Sequence, residues 1–258
     1  MALWSVRDGF RARARRTWAS ESSGTGVLPS PNIWHWPEVY ELENRAQDQD
    51  RALFAALAQE ADWTDADVVD VGCGDGFHLP LFAQRARSVL GVEPHPPLVR
   101  RARQRMSGFE SVRIAAAGAQ RLPIPDSSVD LVHARTAYFF GPGCEPGLRE
   151  ADRVLRPGGM LAIIDLDASR HAYGTWMRAD LPRYSPGAVE EFFAAEGFEC
   201  RRIDTRWRFE DRQSLGEVLR IEFSRRVAAR AIAQTPGVEI TVAYRLHTRR
   251  KPRTPLLP

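Results

Sequence analysis

Residues 68–82 read VVDVGCGDGFHLPLF, and this stretch decides how the chain is expected to fold. Its first four residues have the apolar, β-branched character of a buried strand, interrupted only by Asp70. Three glycines follow at alternate positions, Gly72, Gly74 and Gly76. Glycine lacks a Cβ atom and tolerates positive φ, so a loop of this kind lets the backbone touch a cofactor. The alternative for the loop alone is a purely structural turn.

A second strand and an acid follow at the spacing of a nucleotide-binding unit. Residues 88–93, SVLGVE, are predicted to form a short strand that ends in Glu93. A helix over residues 77–87 is predicted to connect the two strands and to present free N–H groups to the loop. Glu93 lies about twenty residues after Gly72, where a carboxylate accepts ribose hydroxyls. A nicotinamide dehydrogenase would satisfy the same pattern.

The spacing inside the loop separates these possibilities. The order is Gly-x-Gly-x-Gly instead of Gly-x-Gly-x-x-Gly, and Asp70 precedes it, which suits a cofactor with an ammonium group better than a pyrophosphate. Downstream, residues 120–132 read QRLPIPDSSVDLV and residues 154–166 read VLRPGGMLAIIDL. With these landmarks, residues 65–170 resemble the class I S-adenosylmethionine-dependent methyltransferases, in the small-molecule branch of methyltransferase type 11.

The resemblance implies an α/β fold. We expect a Rossmann-like, seven-stranded, mostly parallel sheet with helices on both faces, an antiparallel last strand and an N-terminal helical cap. Residues 1–62 are predicted to form this cap or extension and residues 63–258 the methyltransferase domain, with a helical insertion at about residues 212–235 between the last two strands. The apolar spacing over residues 38–61 predicts helical structure in the cap.

The same resemblance implies S-adenosyl-L-methionine as cofactor, with S-adenosyl-L-homocysteine as product. Members of the family usually have Asp where this chain has Gly118, so Gln120 or a backbone carbonyl would have to accept the adenine amine. The residues expected at the cofactor are Asp70, Gly72, Cys73, Gly74, Glu93, Ala119, Gln120, Ala134 and Tyr40.

Aromatic residues near the strand ends are candidates for the acceptor pocket, with core packing as the alternative for each. They are Trp36, Tyr138, Phe139, Tyr173 and Trp176. No catalytic residue is assigned from the sequence. His133 and His171 are candidates for a general base, although a single histidine near a strand end is more often structural.

Composition sets limits on partners and location. The chain has 258 residues, 43% of them hydrophobic, and no apolar run long enough to cross a membrane. Three cysteines without paired spacing argue against a disulfide framework or a zinc site and for a reducing, cytoplasmic location. The spacing of acids and histidines predicts no metal site.

The charge of the chain gives little support to a nucleic-acid partner. The net charge is +3, from 36 basic and 33 acidic residues spread along the sequence, and the basic tail around residues 249–253 is predicted to be solvated. The chain also lacks the Asn/Asp-Pro-Pro-Tyr signature of amino-methylating enzymes after the fourth strand. Nucleic acid is therefore disfavoured, and the oligomeric state, including a homodimer, is left open.

The predicted function is methyl transfer from S-adenosylmethionine to a small-molecule acceptor through an oxygen, nitrogen or carbon atom. A non-catalytic protein that binds S-adenosylmethionine or S-adenosylhomocysteine would carry the same loop. A nucleic-acid or protein methyltransferase is a further alternative.

Overall fold

The computed structural model describes residues 29–138 and 141–253. The described part of the cap contains three helices, α1 (Pro31–His35), α2 (Pro37–Ala46) and α3 (Ala52–Glu60). The first two each begin with a proline in the first turn, where its missing N–H costs nothing. The part of the cap prediction that falls on residues 1–28 lies outside the described residues.

The helical pattern over residues 38–61 corresponds to two helices, because the chain turns between α2 and α3. Asp48 and Arg51 have φ values of 46° and 55°, in the left-handed region that a helix cannot accommodate. The carboxylate of Asp48 then accepts the backbone N–H of Leu53 at 3.1 Å and so stabilises the start of α3. The turn separates the two helices of the cap.

The sheet has seven strands in the spatial order β3-β2-β1-β4-β5-β7-β6. The strands are β1 (Asp67–Val71), β2 (Ser88–Glu93), β3 (Val112–Ala116), β4 (Val129–Arg135), β5 (Leu155–Leu166), β6 (Glu199–Arg208) and β7 (Glu239–Arg250). The pairs among β1 to β5 are parallel, whereas β7 pairs antiparallel with both β5 and β6. The predicted seven-stranded, mostly parallel sheet with an antiparallel last strand is confirmed.

The connecting helices lie on both faces of the sheet. They are α4 (Leu79–Ala83), α5 (Pro96–Arg105), α6 (Glu145–Val154), α7 (His171–Asp180), α8 (Pro186–Ala195), α9 (Arg212–Glu222) and α10 (Arg225–Gln234). The helix predicted over residues 77–87 is only five residues long, because the chain on either side of it forms turns. Helix α7 was not predicted from the sequence. No helix in the described ranges is long and apolar enough to cross a membrane.

Alternate residues of each strand face two different core layers. Val69, Val132 and Ile163 pack with α6 and α8, whereas Leu131 and Ala162 pack with the cap and the β6–β7 insertion. The insertion consists of α9 and α10, of which α9 contacts α2 of the cap. The cap and the insertion therefore cover the same face of the sheet. The boundary between residues 62 and 63 stays a prediction.

Candidate functional site

The glycine loop after β1 has a backbone that only glycine adopts readily. Gly72 and Gly74 have φ values of 73° and 59°. A Cβ atom at Gly74 would lie 2.9 Å from Cδ1 of Ile33 in α1, and one at Gly72 would lie 3.0 Å from Cβ of Ala137. The loop is therefore in close contact with the cap on one side and with the segment after β4 on the other.

The carboxylate of Glu93 is bound by the backbone around it. Gly74 donates its N–H to Oε2 at 3.1 Å, and His95 donates its N–H to Oε1 at 2.9 Å. Glu93 is 4% exposed, and burial raises the pKa of its carboxyl group, although both amide donors favour the charged form. These bonds hold the loop of β1 against the end of β2.

Asp70 is engaged by a histidine from the neighbouring strand. Its Oδ1 lies 2.7 Å from Nδ1 of His133, whose backbone is its partner in the β1–β4 register. The imidazole is fully buried near the rings of Phe54 and Phe82, with centroid distances of 6.2 and 5.0 Å. This burial favours the structural alternative for His133 over a general base. Its side chain instead fixes the orientation of Asp70.

Cys73 contributes to the loop through its backbone and not through its thiol. The Sγ atom points into the core, where a Cβ atom at Gly91 would meet it at 2.9 Å. Burial raises the pKa of the thiol well above its ordinary value, so it stays protonated. The predicted role of Cys73 at the cofactor is thus confined to its main-chain atoms.

The remaining cofactor candidates lie at the same edge of the sheet. Ala119 and Gln120 occupy the turn after β3 and are half-buried, and Ala134 is fully buried at the end of β4. Because β3, β2, β1 and β4 are consecutive in the sheet, these residues and the glycine loop form one continuous edge. Tyr40 lies apart from this edge, in α2 of the cap.

A stacked pair of rings connects the cap to this edge. Trp34 of α1 lies on the imidazole of His95, with ring centroids 4.3 Å apart and planes inclined by 7°. His95 also donates its N–H to Glu93. Trp36, a predicted acceptor contact, follows α1 and is half-buried, in edge contact with His35 at 5.7 Å. The cap thus lies directly over the end of β2.

Beside this edge, where β4, β5 and β7 meet the cap and α9, six polar and aromatic side chains form what we call the cap cluster. Its members are Tyr40, Glu43, Arg135, Tyr173, Glu222 and Tyr244. Arg135 ends β4 two residues after His133 and so places the cluster next to the Asp70–His133 pair.

Hydrogen bonds join the cap, α7 and α9 within this cluster. Asn32 and the Tyr173 hydroxyl, the latter at 3.1 Å, donate to the two oxygens of Glu222. Gln47 donates to Oε1 of Glu43 at 2.6 Å and accepts from Arg135 at 2.6 Å. These bonds join residues that are far apart in the sequence.

Glu43 is the most perturbed acid of the cluster. It is 3% exposed, and its Oε2 has no hydrogen-bond partner among the described residues. Burial, and then the nearby carboxylate of Glu222, raise the pKa of Glu43 well above its ordinary value. Tyr40 faces the same two acids, and burial raises the pKa of its hydroxyl as well. The cluster therefore contains neutral phenols and a carboxyl group that holds a proton readily.

The other aromatic candidates lie in different surroundings. Trp176 is 2% exposed and its indole donates to Gln234 at 2.7 Å, so it packs α7 against α10, which favours the core-packing alternative. Tyr173 is equally buried but reaches the cap cluster with its hydroxyl. Tyr138 is 5% exposed, and Phe139 lies outside the described residues.

His171 lies at the surface at the start of α7. Its Nε2 is 2.9 Å from Oδ1 of Asp204 on β6, which also approaches Arg170 at 3.6 Å. This ion-pair position contrasts with the buried cap cluster. His171 has no described contact to the cluster or to the glycine loop, and we assign it no base function.

Sequence reasoning missed Glu43, Glu222 and the side chain of Arg135. A signal for both acids exists in the sequence: Glu43 lies between Val39 and Ala46 on the apolar face of α2. Glu222 likewise follows Leu219 at the end of α9. An acid on the apolar side of a helix is expected to be buried, and a buried acid needs a partner.

Comparisons with known proteins agree with this geometry. A methyltransferase domain family matches residues 69–163. Demethylmenaquinone methyltransferase of Tropheryma whipplei is 29% identical over 166 residues, which cover 58% of this chain and 69% of that protein. Methyltransferase GfsG of Streptomyces halstedii is 32% identical over 139 residues, which cover 51% of this chain and 49% of that protein.

The solved structures agree in fold. The YcgJ protein of Bacillus subtilis has a TM-score of 0.59 at 17% identity, with 80% of this chain and 100% of that chain covered. The match to the methyltransferase domain family begins inside β1 and ends inside β5. It therefore includes the glycine loop, Glu93 and the end of β4. Residues 69–163 thus match a methyltransferase domain family, and the strand order and the loop agree with the resemblance to the class I S-adenosylmethionine-dependent methyltransferases.

Proposed function

We propose that this methyltransferase acts on a small-molecule acceptor that binds under the cap, against the cap cluster. The observation that carries the proposal is the position of the cluster, which begins two residues beyond His133, the partner of Asp70. Methyl acceptors in a fold of this kind bind outside the carboxyl ends of the parallel strands. The cap and the insertion enclose this space on the face that carries Arg135.

The residues at the strand edge fit the cofactor. The carboxylate of Asp70 suits an ammonium group, and that of Glu93 suits the two hydroxyls of a ribose. The backbone of Gly72 and Gly74 leaves room for close approach of a ligand. An acid at the end of each of the first two strands disfavours a pyrophosphate. When bound, S-adenosylmethionine supplies a methyl group that its sulfonium already activates.

Adenine would lie at the turn after β3. Ala119 and Gln120 border that turn, and the backbone of Ala134 would face the amino-acid part of the cofactor. The Trp34–His95 stack would then cover the ribose side. These assignments leave the chain two tasks, which are to orient the acceptor and to exclude water. We expect Tyr40 and Trp36 of the cap to contribute to both.

Calorimetric titration with S-adenosylmethionine, S-adenosylhomocysteine and NAD tests the cofactor assignment. We expect micromolar binding of the first two ligands and no heat from NAD. A panel of small acceptors with methyl-labelled S-adenosylmethionine then tests transfer. Tight cofactor binding without labelled product from any panel member or cell extract would support the non-catalytic alternative. Cytoplasmic location and the oligomeric state stay predictions.

A further inference from the structure

One arginine connects the glycine loop to the cap. Arg105, the last residue of α5, donates from Nε to the main-chain oxygen of Asp75 at 3.2 Å and from Nη2 to the Asp75 carboxylate at 2.9 Å. The same Nη2 atom also donates to the carboxylate of Glu41 in α2. A single guanidinium group therefore binds both a residue of the loop, between Gly74 and Gly76, and a residue of the cap.

Asp75 makes these contacts from inside the protein. It is 2% exposed, and its Oδ1 accepts the N–H of Phe77 at 3.2 Å, which closes a turn at the end of the loop. The guanidinium carbon of Arg105 also lies 5.4 Å from the centre of the Phe77 ring. Burial raises the pKa of Asp75, and the charge of Arg105 opposes this rise. Arg105 thus compensates a charge that the loop carries in the interior.

The loop is held at two adjacent residues. On the side of β2, Gly74 donates its N–H to Glu93 at 3.1 Å. On the side of α5, Arg105 binds Asp75. The next residue packs closely on α5 as well, since a Cβ atom at Gly76 would lie 3.3 Å from Cα of Ala102. The position of the loop therefore depends on α5 as much as on Glu93.

A second ion pair joins the same two helices without touching the loop. Arg101 of α5 donates to Glu38 of α2 at 2.8 Å, and the side chain of Glu38 is 75% exposed. The side chain of Glu41 is only 17% exposed. Both pairs join α5 to the cap, but of these two arginines only Arg105 also binds Asp75. The pair Arg101–Glu38 is therefore a matched control for Arg105–Glu41.

We infer that Arg105 is a positioning residue for cofactor binding, which fixes the glycine loop through Asp75 and couples its position to the cap through Glu41. This inference rests on the proposed function, in which the loop backbone faces the cofactor. A loop that is already in its binding position is not ordered at the expense of affinity when the ligand arrives. Because one guanidinium binds both partners, a displacement of α2 changes the contacts of the loop.

Titration with S-adenosylhomocysteine tests the positioning. Arg105→Met keeps the apolar part of the side chain and removes its charge and donors. Affinity should fall about tenfold, as expected for a loop that occupies its binding position about a tenth of the time. Arg105→Lys retains the charge but not the fork of donors, so its affinity should lie between those of the wild-type protein and Arg105→Met. Arg101→Met should bind as the wild-type protein does.

Glu41→Ala tests the coupling to the cap. It should lower affinity for S-adenosylhomocysteine about threefold in the presence of Arg105 and have no effect in an Arg105→Met background, since the two residues then act as one unit. Glu38→Ala should have no effect in either background. Independent effects of Glu41→Ala and Arg105→Met, or no effect of Glu41→Ala at all, would overturn the coupling.

A double variant separates positioning from stability. Arg105→Met leaves the buried carboxylate of Asp75 without its cation, which Arg105→Met/Asp75→Asn corrects while keeping an acceptor for the N–H of Phe77. The double variant should melt close to the wild-type protein and still bind S-adenosylhomocysteine about tenfold more weakly.

Hydrogen exchange of the ligand-free double variant provides a readout that does not depend on the cofactor. The amides of Gly74 and Gly76 should exchange faster than in the wild-type protein, whereas those of β1 should not change. Wild-type affinity and wild-type exchange in the double variant would overturn the inference. Failure of the wild-type protein to bind S-adenosylhomocysteine would instead overturn the proposed function, and the exchange rates would still show whether Arg105 fixes the loop.

Discussion

Two buried glutamates, Glu93 and Glu43, lie on either side of the proposed site and differ in how their charge is stabilised. Glu93 accepts backbone N–H groups on both oxygens, from Gly74 and His95. Glu43 accepts one side-chain amide, from Gln47, and its other oxygen has no donor in the described ranges. The fold thus supplies a hydrogen-bond donor to each oxygen of Glu93 but to only one oxygen of Glu43. The second oxygen of Glu43 is left for a proton or a ligand.

The largest effect is expected from replacing Glu93, the acid whose two oxygens both accept backbone N–H groups. Glu93→Ala leaves two buried N–H groups without an acceptor and removes the proposed ribose contact, so affinity for S-adenosylmethionine should fall about 100-fold or more. The free energy of unfolding should fall by about 2 to 4 kcal/mol. Calorimetry and urea unfolding measure both quantities.

The control for Glu93→Ala is Asp211→Ala, which also removes a carboxylate that accepts a backbone N–H, here that of Ser214 at 2.7 Å. It should lower stability and leave cofactor affinity intact. If both variants bind S-adenosylmethionine as the wild-type protein does, Glu93 is a structural acid only.

Asp165 extends the comparison to an acid whose two oxygens both lack a partner among the described residues. It is 1% exposed near the end of β5, and burial raises its pKa to about 7. The folded protein therefore holds this proton more tightly than the unfolded chain does, and stability falls as pH rises from about 4 to about 7. At pH 8, Asp165→Asn should be more stable than wild type by about 2 to 4 kcal/mol.

Urea unfolding at pH 5 and pH 8 measures this difference, and Asp67→Asn is the matched control. Arg87 lowers the pKa of Asp67, so its ionised form stabilises the fold and the substitution should destabilise the protein at both pH values. An Asp165→Asn variant no more stable than wild type at pH 8 would show that Asp165 is paired in solution.

The comparison also explains which parts of the site the sequence revealed. Gly72, Gly74 and Glu93 belong to one strand–loop–strand unit, and their contacts are determined by local spacing. That unit, the seven-stranded, mostly parallel sheet and the antiparallel β7 were predicted correctly. The chain reversal at Asp48 was not, because a left-handed residue other than glycine has no clear sequence signal.

The contacts within the cap cluster could not be predicted from local sequence spacing. Asn32 and Glu222 bond across 190 positions of sequence, and Arg135 reaches Gln47 from a strand 88 positions away. Contacts of this kind depend on how the cap and the insertion pack on the sheet. The burial of Glu43 on an apolar helix face was available from the sequence, but its partner was not.

The variant His133→Phe tests whether Asp70 depends on its hydrogen-bond partner for cofactor binding. His133→Phe keeps the ring volume near Phe54 and Phe82 but removes the nitrogen that lies 2.7 Å from Asp70. A less constrained Asp70 should lower affinity for S-adenosylmethionine about tenfold, since a hydrogen bond to a charged group contributes about 1.5 to 3 kcal/mol.

Calorimetry of His133→Phe is compared with that of His247→Phe. His247 is equally buried, in β7, and its ring stacks on Phe193 at 4.5 Å, away from the glycine loop. The control should bind the cofactor normally. If His133→Phe does so too, the Asp70 carboxylate is held by the β1–β4 backbone alone and needs no partner.

The smallest expected effect concerns the stack between cap and cofactor edge. Trp34→Ala removes the ring on His95 and exposes the N–H that this residue donates to Glu93. An aromatic pair contributes about 0.5 to 1.5 kcal/mol beyond its buried area, so affinity for S-adenosylmethionine should fall about three- to tenfold. Trp34→Phe should retain most of it. If Trp34→Ala binds S-adenosylmethionine as tightly as Trp34→Phe does, the strand edge binds the cofactor without help from the cap. The cap would then contribute only on the side where Glu43 lies.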